Sequence, residues 1–140
     1  MKNFLIICAI AIGFMACKKE AGEGGTSVIE GKVYQLKMYQ DLNGKWDTIP
    51  GTYKLDAEKE VYIIYSENEN DIYDDSFDTH WNGEYRFEFL RKGDYTIYAY
   101  ANWDSLGVVE GAYPVFKHIK IDANNRTFTL DDFVILKDPS

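Results

Sequence analysis

Between residues 79 and 100 the chain changes character with a period of two. Tyr85, Phe87 and Phe89 are separated by Arg86 and Glu88, and beyond Arg91, Lys92 and Gly93 the apolar phase resumes at Tyr95, Ile97 and Ala99. A helix would repeat its apolar positions every three or four residues, so this stretch is extended chain with one buried face. It is expected to form two strands that turn at residues 91–93, a ribbon around which the other strands assemble.

The other strands carry the same pattern. Residues 28–34 place Ile29, Gly31 and Val33 on one phase and Glu30 and Lys32 on the other. Residues 35–40 and 46–49 flank Asn43-Gly44, and Asn-Gly predicts a type I′ hairpin, because that turn needs positive φ at both central residues. Val61, Tyr62, Ile63, Ile64 and Tyr65 form an apolar run expected in the centre of a sheet. Residues 112–121 carry Val115, Lys117, Ile119 and Ile121 on one phase. Residues 126–130 and 133–136 follow, separated by Asp131 and Asp132, where a bulge is expected. Residues 66–82 and 101–111 read as loops. About seven short strands with no helical period imply an all-β fold, a single antiparallel β-sandwich of Ig-like type over residues 28–138. Hydrophobic residues make up 46% of the 140 and aromatic residues 16%, ample for one core.

The first sixteen residues differ. Lys2 precedes an apolar run over residues 4–15 broken only by Gly13, which is too short to span a bilayer and follows the plan of a secretory leader. Phe14-Met15-Ala16-Cys17 resembles a bacterial lipobox, with Phe14 where leucine is usual and Met15 where a smaller residue is usual. The resemblance implies removal of residues 1–16 and acylation of the Cys17 sulfur, leaving residues 17–27 as acylated terminus and flexible, Gly-rich tether. It also implies the cell envelope, and Lys18 in place of the aspartate associated with inner-membrane retention favours the outer membrane. With Cys8 removed and Cys17 acylated, no thiol remains for a disulfide or a nucleophile. A net charge of −8 opposes binding to nucleic acid. Attachment to the membrane through the lipid, protein or glycan partners, and cations remain.

The sequence Ile29-Glu30-Gly31-Lys32-Val33, with Thr79, Gly83, Tyr85, Phe87, Leu90, Gly93 and Tyr95 following, resembles the transthyretin-like (prealbumin-like) β-sandwich domains. These include carboxypeptidase regulatory-like domains and the B-type repeats of bacterial surface adhesins. The resemblance implies a structural or binding role, with Gly31 at an entry turn, the aromatic pair in the core and Gly93 reversing the ribbon. A shared fold does not name a ligand.

Two clusters offer binding chemistry. Glu67, Glu69, Asp71, Asp74, Asp75 and Asp78 lie close together with no basic residue among them, and calcium takes six to eight such oxygens. Their spacing is not that of an EF-hand, and a solvated acidic loop is the alternative. Trp46, Trp81 and Trp103 stand at strand ends or in loops beside Asn or Asp, where a ring face and polar neighbours suit a sugar; capping the ends of the sandwich is the alternative. His80 and His118 have no recognisable third partner, and no Gly-x-Ser-x-Gly occurs, so a non-catalytic binding or assembly module is expected, with a glycan-binding accessory lipoprotein ordered by calcium and a hydrolase as the alternatives.

Overall fold

The computed structural model describes residues 20–103 and 110–137; the leader, Cys17 and residues 104–109 lie outside them. Ten strands follow in order: β1 (Glu23–Gln40), β2 (Trp46–Thr48), β3 (Lys54–Leu55), β4 (Glu60–Ile64), β5 (Asp75–Asp78), β6 (Glu84–Leu90), β7 (Gly93–Trp103), β8 (Glu110–Ile121), β9 (Thr127–Thr129) and β10 (Phe133–Lys137). They form two packed sheets, the all-β sandwich that the alternating pattern implies.

β1 is the spine of the first sheet. In a strand the N–H and C=O of one residue point to the same flank. Val33 N–H donates to Gly83 O, and Val33 O accepts from Asp56 N–H, each at 2.9 Å, so β6 and β3 share one flank. Val28 N–H donates to Arg126 O and Glu30 O accepts from Leu130 N–H, again at 2.9 Å, which puts β9 on the other. β9 and then β10 run parallel to β1, with Asp131 and Asp132 at the break between them. The second sheet, ordered β5-β4-β7-β8, is antiparallel throughout.

The expected ribbon is not one. β6 pairs with β1 in the first sheet, whereas β7 pairs with β4 and β8 in the second. Residues 91–93 therefore form a corner between sheets, and the two alternating strands face one another across the core. Tyr95 holds this corner: its hydroxyl donates to Arg91 O at 2.7 Å and accepts from Gly22 N–H at 2.8 Å. Tyr85, Phe87, Tyr95, Ile97 and Ala99 are buried as expected, together with Ile29, Val33, Ile63, Phe133 and Ile135.

Four other expectations are corrected. The first strand begins at Glu23, not at residue 28, so part of the Gly-rich tether lies in the sheet. Gly31 stands mid-strand rather than at a turn; it leaves room for Tyr85, since a Cβ there would lie 2.4 Å from the Tyr85 hydroxyl. At the Asn43-Gly44 hairpin only Gly44 has positive φ, and Asp41 closes the loop by accepting from the N–H groups of Asn43 and Lys45 at 2.8 Å, so the turn is not type I′. The loop over residues 66–82 contains β5, an edge strand.

Phe89 also breaks the alternation. It is exposed with φ +57°, and Leu90 takes the buried position instead, where the register of β6 against β1 shifts. A left-handed conformation costs an L-residue about 1–2 kcal/mol, less what glycine loses in chain entropy, so Phe89→Gly is expected to stabilise the fold by about 0.5–1 kcal/mol. Urea unfolding midpoints test this; a lower midpoint would mean that the ring contributes packing that its exposure hides.

Candidate functional site

The outward face of the second sheet is built from aromatic rings. The buried phase of β4 and β7 comprises Val61, Ile63, Tyr95, Ile97 and Ala99, so the alternate residues face away from the core. Cross-strand pairing aligns Tyr62 with Tyr98 and Tyr98 with Phe116 in one row. Tyr62 and Tyr98 stack with centroids 4.9 Å apart at 16°. Phe116 tilts against Tyr98 at 5.2 Å, and Tyr100 meets Tyr62 edge-on at 5.8 Å and Tyr98 at 5.7 Å.

A fifth ring arrives from the loop after β4. This loop folds over the sheet next to the aromatic row and covers Ile64 and Thr96, which are buried although they belong to the outward phase. The Thr96 hydroxyl donates to Ser66 O at 2.8 Å, His118 Nδ1 lies 3.0 Å from the same hydroxyl, and His118 Nε2 reaches Glu69 Oε1 at 2.7 Å. Asp74 accepts from Tyr65 N–H at 2.7 Å. So held, the loop lays Tyr73 against Tyr62 at 4.8 Å and 56°. Tyr73 and Tyr100, 46% and 40% exposed, are the most open rings of the face; Tyr62 and Phe116 are half-buried and Tyr98 is buried.

The electrostatics favour the neutral forms of the Tyr62 and Tyr98 phenols. The Tyr62 hydroxyl donates to Glu60 Oε2 at 2.6 Å, and this bond, reinforced by partial burial, holds its pKa far above the ordinary value. Burial raises Tyr98, Tyr95 and Tyr85, the last aided by Asp132, and burial followed by Glu23 pushes Tyr65 up to about 12. The folded state thus keeps protons that unfolded tyrosine releases near pH 10, so stability is full below that pH and falls as pH rises beyond it. Phenolate absorbance from Tyr62, Tyr65, Tyr85, Tyr95 and Tyr98 should accordingly appear only well above pH 10, together with unfolding. Titration of these five near pH 10 in folded protein would contradict their environments.

The expected calcium set is not assembled. Asp71 accepts from Ser66 Oγ and Asn68 Nδ2, Asp74 from Tyr65 N–H, Asp75 from Ser76 N–H, and Glu69 faces His118. Glu67 and Asp78 are exposed, and among the described residues no three His, Cys, Asp or Glu side chains converge on one point. The acids serve as local caps of the loop.

The tryptophans do not form one site either. Trp46 and Trp103 pack at 4.2 Å, and Trp103 is buried, so this pair closes an end of the sandwich. Trp81 is exposed on the turn before β6. Trp46 pairs with Gln40, whereas Gly83 of the Trp81 turn bonds Val33, roughly 23 Å away at about 3.3 Å per residue of β1. His80 meets Phe77 of β5 edge-on, while His118 on β8 holds the loop at Glu69, so the two histidines do not share a site.

No family model and no curated protein matches the sequence. Among solved structures, a candidate carbohydrate-binding protein from Pseudomonas aeruginosa is similar over 84% of this chain and 92% of its own, at 15% identity and a TM-score of 0.43. The aromatic face was not anticipated, although part of its signal was legible. On β6 the phase opposite the core is Glu84, Arg86, Glu88; on β7 it is Thr96, Tyr98, Tyr100. Aromatic residues on the phase that should meet water were the sign.

Proposed function

We propose that this chain is a lipid-anchored, non-catalytic binding module of the cell envelope, and that it takes a neutral glycan on the tyrosine face of its second sheet. The carrying observation is the row Phe116, Tyr98, Tyr62 and Tyr73, with Tyr100 beside it, on a face that alternation assigns to solvent. Exposed ring surface beside phenol hydroxyls and the Glu60 side chain suits the apolar faces and hydroxyl edges of a sugar. The chain's charge of −8 favours a neutral glycan over an acidic one. Kinship with the transthyretin-like domains belongs to the same proposal and accords with a binding role.

The anchor rests on the lipobox resemblance at residues 14–17, which implies attachment through Cys17 to the outer membrane. In cells, Cys17→Ala is expected to move the protein wholly from the membrane fraction to the soluble envelope fraction. Unchanged fractionation would refute the anchor. Glycan binding by the soluble variant is expected to persist, because the tyrosine face does not include the terminus.

A further inference from the structure

We infer that the end of the sandwich bearing Ala21, the β6–β7 corner and the turn after β8 rests against the headgroup surface of the bilayer that holds Cys17, so that the domain stands on its membrane rather than swinging from it. This rests on the lipid anchor proposed above. Ten residues separate Cys17 from residue 28, where sequence alone would begin the domain, and such a segment would let it roam. The chain is already fixed much earlier. Ala21 packs against the core, Gly22 N–H donates to the Tyr95 hydroxyl at 2.8 Å, and Gly22 O accepts from Arg91 N–H at 2.8 Å. A Cβ on Gly93 would lie 2.6 Å from that of Ala21, so the two segments are in direct contact.

Only Lys18, Lys19 and Glu20 remain between the acylated cysteine and the fixed chain. Four steps of fully extended backbone span at most about 14 Å, so Ala21 stays within that distance of the headgroup layer. A domain of this size has a radius of gyration of roughly 13 Å, comparable with its leash, which leaves it little freedom to turn over.

The charge around the attachment point fits. Glu20 shares a concavity with Lys92, Asp94, Lys120, Asp122 and Glu67, and Lys18 and Lys19 adjoin it in sequence. These charges cancel, and although Asp71 and Asp74 line the other side of Glu20, this end is far less acidic than the chain's −8 implies, so an anionic surface repels it little. β1 and β7 both start at this end. Tyr98, five residues along β7, stands about 16 Å above it, and the hairpin bearing fully exposed Leu42 lies at the opposite end of β1. The tyrosine face is thus presented sideways, close to the membrane, where a glycan lying along the surface would meet it.

The test uses the full lipidated chain in phosphatidylethanolamine–phosphatidylglycerol vesicles, spin-labelled at Lys92→Cys or Leu42→Cys, with a nickel chelate tethered to lipid headgroups. Strong relaxation of the label at position 92 and little at position 42 is expected. A flexible Gly-Ser insert of about ten residues between Lys19 and Glu20 should reduce the effect at position 92 severalfold while the protein stays bound. Equal relaxation at the two positions, or no change with the insert, would overturn the inference and leave the anchor standing. Protein that fails to associate with the vesicles would remove the anchor and this inference together.

Discussion

Gly31→Ala is expected to lower the free energy of unfolding by about 2–3 kcal/mol, as a methyl group forced into a filled core does. The added Cβ would lie 2.4 Å from the Tyr85 hydroxyl and 2.7 Å from its Cζ. Neither side yields easily: Gly31 is held in β1 between β6 and β9, and the Tyr85 ring is 1% exposed and packed against Phe87 and Phe133. The cause is separable from a generic effect of mutating a strand glycine. In a Tyr85→Phe background the nearest clashing atom is gone, so Gly31→Ala should cost measurably less there, a coupling that a double-mutant cycle in urea reads directly. Equal costs in both backgrounds would show that Gly31 is needed for some reason other than Tyr85.

The second large effect concerns binding. Joint replacement Tyr73→Ala/Tyr100→Ala is expected to weaken glycan affinity by about 2 kcal/mol, roughly thirtyfold, since both exposed rings of the site are lost while its floor remains. Both side chains are at least 40% exposed, so thermal stability should change little. By contrast, Trp81→Ala should leave affinity unchanged, because that ring lies away from the tyrosine face on the turn before β6. A loss confined to Trp81→Ala would transfer the site there.

The sequence made faces legible and left neighbours hidden. Tyr95, Ile97 and Ala99 were read correctly as a buried phase, because a period of two depends only on local geometry. That β6 pairs with β1, more than fifty residues earlier, and not with β7 a few residues later, depends on long-range pairing that alternation does not encode. Phe89 was placed inside for the same reason: the irregular register that turns it outward involves residues 23–27 of β1. At the site, Tyr98 and Tyr100 stood on the wet phase in plain view, but Tyr62 was concealed in an apolar run. Phe116 and Tyr73 join them only through pairing and the fold of the loop. The acids of that loop drew attention by density, yet metal binding needs convergence, and their hydrogen bonds turn them to separate backbone and side-chain partners.

The most direct test of the tyrosine face is aromatic carbon–proton NMR of the chain from Lys18 onward, titrated with a panel of neutral oligosaccharides. Saturable shifts at Tyr73 and Tyr100, with smaller ones at Tyr62 and none at the Tyr34–Tyr53 stack on the other sheet, are the expected result. Absence of shifts across the panel, or shifts centred on Trp81, would contradict the assignment of the tyrosine face as the binding surface.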